Sequence, residues 1–423
     1  MLRAGLAQID ITPPLGVEIA GWLYKKYATQ IKDPIFANIL ILESGATRIG
    51  MVSLDVLSVP WKLVDAIRDR AVPVGIPRNN LLVCATHNHA GPAVANIGQT
   101  TRDEHYVADL CGRLEYGFGQ AAQNMQPSKI ATASTLEGGV SFIRRAIMRD
   151  GGVQCQPHFS HAIRSLEAVI DPEVGILAIV DMHDRPLGFV VNFACHPTHH
   201  GHDGVISAGW PGALYRQIQA ALGPSCVTLL LNGALGDVFH RNPLNPEFLD
   251  FPDRIGRVLA GHVLQCLGDL KFAPGADLHA CTTTVQLPLR DPDGPWGIQQ
   301  PFPQRFADDD IYAPMIASLR RRRQRQPFAH AQVQCLRFNT ETAYVTLPAE
   351  AFAAIGLQIK MQSTFANTWV VGMANGMVGY IPTAAAFPRG GYETSLGLTS
   401  KCEPASAQLL IGAGLDLLKK CVC

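Results

Sequence analysis

The chain has 423 residues, with 35 Lys+Arg against 35 Asp+Glu, a formal net charge of zero at pH 7, and 47% hydrophobic residues. Apolar residues this plentiful exclude a globally disordered chain, and zero net charge argues against a general nucleic-acid binder, which needs a basic face. The length suits one large domain or a few smaller ones, with ample material for a deep core.

Met1 to Asp10 places one Arg before a short apolar patch that Asp10 interrupts, which is not the pattern of a secretory leader. The apolar stretch 186–195 (PLGFVVNFAC) is of strand length, and no run approaches membrane length, so stable membrane insertion is not expected. Eleven cysteines are scattered without a CxxC pair, mostly in apolar runs, which predicts reduced thiols in a cytoplasm. Cys421 and Cys423 make a terminal CxC that could bind metal or oxidise, and is read as a frayed end.

In chain order, residues 1–16 read as a strand and a Pro-Pro turn. Segments 35–43 and 48–57 read as a hairpin with Asp55 near its end, 59–71 as an amphipathic helix and 80–85 as a strand. A helix over 103–124 and a strand over 129–135 follow. Strands 174–181 and 187–195 form a second hairpin, 211–222 a helix with Pro211 in its first turn, and 226–232 a continuous apolar strand. A helix over 252–267 precedes 284–306, whose Pro, Asp, Gly and Gln content predicts a long surface loop. Arg320 to Arg325 closes a helix over 309–323, read as a solvated helix end. Strands 330–338, 342–347 and 367–373 and helices 350–362 and 404–420 complete the chain. Frequent hairpins among the helices predict an α/β (α+β) fold: one large domain over 1–423, with mixed β-sheets packed between helices.

Histidine and acid clusters stand at the ends of these strands. Thr86-His87-Asn88-His89-Ala90-Gly91-Pro92 follows strand 80–85, and Cys195-His196-Pro197-Thr198-His199-His200-Gly201-His202 ends strand 187–195. Polar residues at the end of a rigid strand are well placed to border a cavity, although each cluster also reads as a core histidine beside surface ones. Asn232-Gly233-Ala234-Leu235-Gly236-Asp237-Val238 turns out of an apolar strand, and Asp237 could orient a histidine or simply shape the turn. Glu350 sits near an expected helix start, and Tyr380 and Tyr392 lie in Gly-rich segments. Imidazoles with one carboxylate suit zinc. HExxH, GxSxG, GxGxxG and GxxxxGK[ST] are absent from the sequence, which leaves zincin, serine-hydrolase, dinucleotide and P-loop chemistry without support.

Taken together and in order, these motifs resemble the neutral, non-lysosomal ceramidases. THNHAGP is similar to that family's THTHSGP, NFACHPT to its second histidine motif, SAGWPG to SADYPG, NGALGDV to its GDV turn, and LPAE to LPGE. NGMVGYIPT followed by GYE is similar to its Tyr and Tyr-Glu pattern. Gly209 stands where the family carries an acid and Ala234 where it carries Asn. The resemblance implies a zinc hydrolase with His87, His196, Glu350 and Tyr380 as ligands. It implies His89 beside the substrate, Tyr392 as an oxyanion donor, and Arg144 in SFIRRAIMRDGG as either a substrate-orienting or a structural residue. The family's bond is an amide, so a small-molecule or N-acyl substrate is expected. The family's C-terminal immunoglobulin-like domain has no room within 423 residues, which points away from ceramide itself. An ester, lactone or glycosidic bond, or a non-catalytic binding role, remain open alternatives at this stage.

Overall fold

Ile39 and Ile41 enter one apolar core while Leu40 and Leu42 enter another, and all four are buried, so this strand is covered on both faces. The computed structural model describes residues 1–297 and 309–422, with side chains from Ile311 onward in the second part. Strands β1 (Arg3–Asp10), β2 (Phe36–Ser44), β3 (Thr47–Leu54), β4 (Leu81–Ala85), β5 (Gln126–Leu136), β6 (Glu173–Asp181), β7 (Pro186–Phe193) and β8 (Val227–Asn232) form one sheet. Its order is β8-β7-β6-β5-β1-β2-β3-β4. The β3–β4 and β7–β8 pairs are parallel and the others antiparallel, so the sheet is mixed, as expected.

The join between β1 and β5 consists of the pairs Arg3↔Pro127 and Ala4↔Gln126 alone. Beyond it the two halves fold toward each other, and the Ser53 hydroxyl on β3 donates to the Leu230 carbonyl on β8. Strands that are remote in sheet order therefore meet in space, which positions the site described below.

A second sheet runs β9 (His279–Pro288), β10 (Phe328–Arg337), β11 (Thr342–Thr346), β12 (Asn367–Val371), with the last pair parallel. Its Leu336, Tyr344 and Trp369 share the inner core with Leu40, Leu82 and Leu229. Helices α1 (Trp61–Ala71) and α2 (Glu104–Gln123) cover one half of the first sheet through Leu63, Ile67, Leu110 and Leu114. Helices α3 (Gly209–Leu222) and α4 (Pro252–Leu267) cover the other through Trp210, Leu214, Leu259 and Val263. After α5 (Asp309–Arg325), helices α6 (Ala353–Gln362) and α7 (Ser406–Val422) close the outer face of the second sheet. The Asp103 carboxylate caps α2 by accepting from Tyr106 N at 3.0 Å.

Expectations fail where long-range pairing overrides local pattern. Residues 284–288, expected in a loop, continue β9 because Val285 and Leu287 alternate with Thr284 and Gln286 against 328–332 of β10. The rest of that segment from 298 onward lies outside the described residues, as does Cys423. Cys421, expected to fray, is buried in α7. Glu350, expected near a helix start, instead forms a short strand with Ala351 that pairs in parallel with Tyr380 and Ile381. The Arg320–Arg325 run is a solvated helix end, with Arg320 and Arg323 paired to Asp293 and Asp291.

Asp55 is buried at the end of β3 and accepts from Phe36 N (2.9 Å), Thr86 Oγ1 (3.2 Å) and Tyr215 Oη (3.2 Å). Burial outweighs these donors and pushes its carboxyl up to about 7. The folded protein therefore holds this proton more tightly than the unfolded chain, whose carboxyl titrates near ~4. The resulting stabilisation is complete below that range and is lost as pH rises through about 7. Thermal melts should show stability falling between about pH 4 and 7, and Asp55→Asn should flatten the fall; identical pH profiles for both proteins would contradict it.

Candidate metal centre

Thr86 and His87 leave β4 directly, and His87 takes a left-handed φ of +66° that non-glycine residues rarely adopt. The turn is held by Asp55 through Thr86, and by Asn88, whose amide donates to the carbonyls of Asp55 (3.2 Å) and Ser207 (2.8 Å). Asn232, at the end of β8, donates to Thr86 O and Cys195 O, each at 2.9 Å, and accepts from Cys195 N at 3.1 Å. One buried amide thus ties both histidine segments to the same strand end.

The three histidines are oriented alike. His87 Nδ1 lies 2.8 Å from Leu57 O, His89 Nδ1 3.1 Å from Gly21 O, and His196 Nδ1 2.9 Å from Val238 O. A carbonyl only accepts, so each Nδ1 carries the proton and each Nε2 presents a lone pair. These lone pairs converge. His87 Nε2 and His196 Nε2 are each 3.3 Å from Glu350 Oε2, and His89 Nε2 is 3.3 Å from His87 Nε2. Burial would raise Glu350, but positive charge among the His87 and His196 rings holds it well below the usual carboxylate range, so it is ionised whenever a proton or a metal cation sits between them. Burial depresses His89 well below its ordinary value and, with Arg144, takes His196 down to about 3, so both stay neutral.

Glu350 is delivered by its pairing with Tyr380, with Glu350 N donating to Gly379 O at 3.0 Å. Gly236 packs against it so closely that a Cβ there would stand 2.3 Å from Glu350 O. Burial pushes the Tyr380 phenol well up, so it stays protonated; its hydroxyl bonds to Glu350 and accepts from Arg144 Nη2 at 3.0 Å. Arg144 Nη1 is 3.4 Å from His196 Nε2, and Arg144 Nε donates to Glu393 Oε1 at 2.7 Å. Arg145 Nη1 donates to Glu393 Oε2, also at 2.7 Å. Burial would raise Glu393, but the two guanidiniums hold it at about 2.

Asp237 does not orient a histidine. Its carboxylate accepts from Ala353 N at 2.7 Å, fixing the start of α6, and its carbonyl accepts from Arg144 N at 2.9 Å. It is therefore a positioning residue for the segments carrying Glu350 and Arg144. Where SAGWPG lacks an acid at Gly209, Asp33 accepts from Ser207 Oγ and Ala208 N at 2.8 Å each. His199 lies apart from the trio, sharing Asp250 Oδ1 with His240 at 3.0 and 2.7 Å, and His200 bonds to Asp203.

The centre opens into a cavity of about 300 Å³. His89, His196, Arg144, Tyr380 and Tyr392 face it from one side. Trp22, Leu23, Tyr24 and Phe239 give it an apolar wall, and Lys26 and Thr198 also border it. Gly21 takes a φ of +102° beneath His89, and a Cβ there would lie 2.5 Å from His89 Nδ1, so only glycine lets the chain cross this ring. Sequence reasoning did not pick out Asn232, Glu393, Trp22 or Tyr24. Asn232 and Glu393 stood within the quoted motifs, whereas nothing local marked the wall residues.

No protein-family model matches the sequence, and no curated protein matches it either. Solved structures do. The neutral ceramidase from Pseudomonas aeruginosa superposes with a TM-score of 0.76 at 17% identity, covering 99% of this chain and 75% of that one. The chain has a neutral ceramidase-like catalytic fold. A ceramidase complexed with C2 gives the same TM-score at 16% identity, with the same coverage.

Glu393→Gln should leave the buried Arg144 and Arg145 short of a counter-charge and destabilise the protein by about 3–5 kcal/mol. Chemical denaturation measures this, and a loss below about 1 kcal/mol would show that Glu167 and the site carboxylate suffice.

Proposed function

We propose that the protein is a zinc-dependent hydrolase that cleaves an amide bond of a small N-acyl substrate. The observation that carries this reading is the meeting of donor-free ligand atoms: His87 Nε2 and His196 Nε2, each 3.3 Å from an ionised Glu350. Imidazole nitrogens and a carboxylate crowded this closely call for a cation between them, and the mixed nitrogen and oxygen set suits zinc. His87, His196, Glu350 and Tyr380 would hold it, a reading supported by the contacts of both imidazoles and the Tyr380 hydroxyl with Glu350 and by the backbone carbonyls and strand pair behind them. The three imidazoles can also group without the carboxylate, their nearest ring nitrogens lying within 4.8 Å of one another. Bound there, zinc would acidify a coordinated water and polarise a substrate carbonyl.

The chain's own residues supply the rest. His89, neutral and with Nδ1 committed to Gly21 O, offers Nε2 to take a proton from the attacking water. The Tyr392 phenol is pushed well up by burial, so it stays protonated beside Tyr380, with ring centroids 5.6 Å apart, and can donate to a developing oxyanion. Arg144 keeps a positive charge against Tyr380 and lines the cavity, where it can orient a carbonyl oxygen.

A cavity of about 300 Å³ with an apolar wall suits a short acyl chain better than the two long chains of ceramide. Among the described residues no helix is long and apolar enough to cross a membrane. The cysteines of the described residues are free thiols, which supports a cytoplasmic placement.

The test is hydrolysis of short-chain N-acyl amides, with matched esters and long-chain amides alongside. Short-chain amide turnover that vanishes in His87→Ala supports the reading, and cleavage of esters alone contradicts it. Tyr392→Phe should retain metal and lower kcat by about 10²- to 10³-fold; full activity in that variant would remove its oxyanion role.

A further inference from the structure

A second group of ligand atoms lies outside the cavity, between β9, β10 and α7. Cys281 on β9 and Cys335 on β10 are direct cross-strand partners. Helix α7 lays Cys421 against them, with Cys281 Sγ 2.8 Å from Cys421 Sγ. The Cys335 thiol is in hydrogen-bond contact with both. His279 lies two residues before Cys281, so its ring stands on the same face of the strand. A His279 ring nitrogen, Cys281 Sγ and Cys421 Sγ all lie within 4.8 Å of one another. His279 is exposed and Cys281 half-buried, while Cys335 and Cys421 are buried, so the group is reached from solvent on one side.

We propose that His279, Cys281, Cys335 and Cys421 form a structural site for a thiophilic metal ion, zinc in a cell, that clips the last turn of α7 to the outer sheet. Zinc bound at about 2.3 Å to sulfur and about 2.0 Å to nitrogen holds tetrahedral ligands about 3.8 Å apart. His279, Cys281 and Cys421 already lie within 4.8 Å of one another, the 2.8 Å contact of Cys281 with Cys421 would open to that spacing, and Cys335, which touches both thiols, would complete the set. Three sulfurs and one imidazole form a closed coordination set of the structural kind, with no position left for substrate. The placement also has a mechanical sense. Leu410, Leu417 and Leu418 anchor α7 in the apolar core, and the metal would fix the helix end beyond them. Nothing in this site depends on the His87 centre.

The test is zinc K-edge X-ray absorption on protein purified under reducing conditions and loaded with zinc alone. A sulfur shell at about 2.3 Å is expected in the wild type and in His87→Ala, and should disappear in Cys281→Ser. Should Cys281→Ser fail to fold, His279→Ala changes only an exposed ligand, and should weaken zinc binding at the sulfur site about tenfold or more. A shell of nitrogen and oxygen alone, a sulfur shell that survives Cys281→Ser, or unchanged affinity in His279→Ala would overturn the site. A Cys281–Cys421 disulfide in the reduced preparation would overturn it equally. Loss of the His87 centre with the sulfur shell intact would count against the proposed hydrolase and not against this site.

Discussion

The fold turns on an electrostatic mismatch at its centre. Each of three imidazoles, His89 half-buried and the others buried, turns Nδ1 to a backbone carbonyl, and the three Nε2 atoms then face one another and Glu350. Left alone, that grouping sets lone pair against lone pair in a low dielectric, where repulsion is strong. Arg144 relieves part of it, and its charge is itself neutralised by Glu393. The remaining deficit is what a divalent cation would supply, and it explains why so much buried hydrogen bonding is spent on keeping the rings where they are.

That spending is visible in the supports. A sheet whose halves join through two residue pairs can fold its edges together, which brings the end of β4 to the ends of β7 and β8. Asn232 then spans Thr86 and Cys195, Asp55 holds Thr86, and Asp237 sets both the start of α6 and the backbone of Arg144. None of these three touches the converging nitrogens, yet each fixes a segment that does. A left-handed His87 is tolerated because its neighbours determine the turn so completely.

Much of this was legible in the sequence, because period-two apolar strands and capped helices are local signals. β2, β3, β4, β7 and β8 fall close to their expected places for that reason. The strand-end positions of His87 and His196 were equally readable, since an apolar run ending in a polar turn marks a sheet edge. What was not readable depends on contacts between distant segments. Glu350 looked like a first-turn helical acid, and only its pairing with Tyr380 makes it a strand residue. Asp237 looked like a histidine partner, but the nearest donor in the folded chain is Ala353 N. Cys421 looked like a frayed tail until packing against Cys281 gave it a place. The grouping of His87, His196, Glu350 and Tyr380 came from resemblance to the ceramidases, for no spacing within the sequence implies that they meet.

The most direct measurement of the central claim is calorimetric titration of zinc into metal-free protein, with the thiol group removed by Cys281→Ser so that only the histidine centre is read. The account predicts one tight site in that protein, lost when Glu350→Ala is added. Absence of a site in the folded parent, or a site indifferent to Glu350, would contradict it.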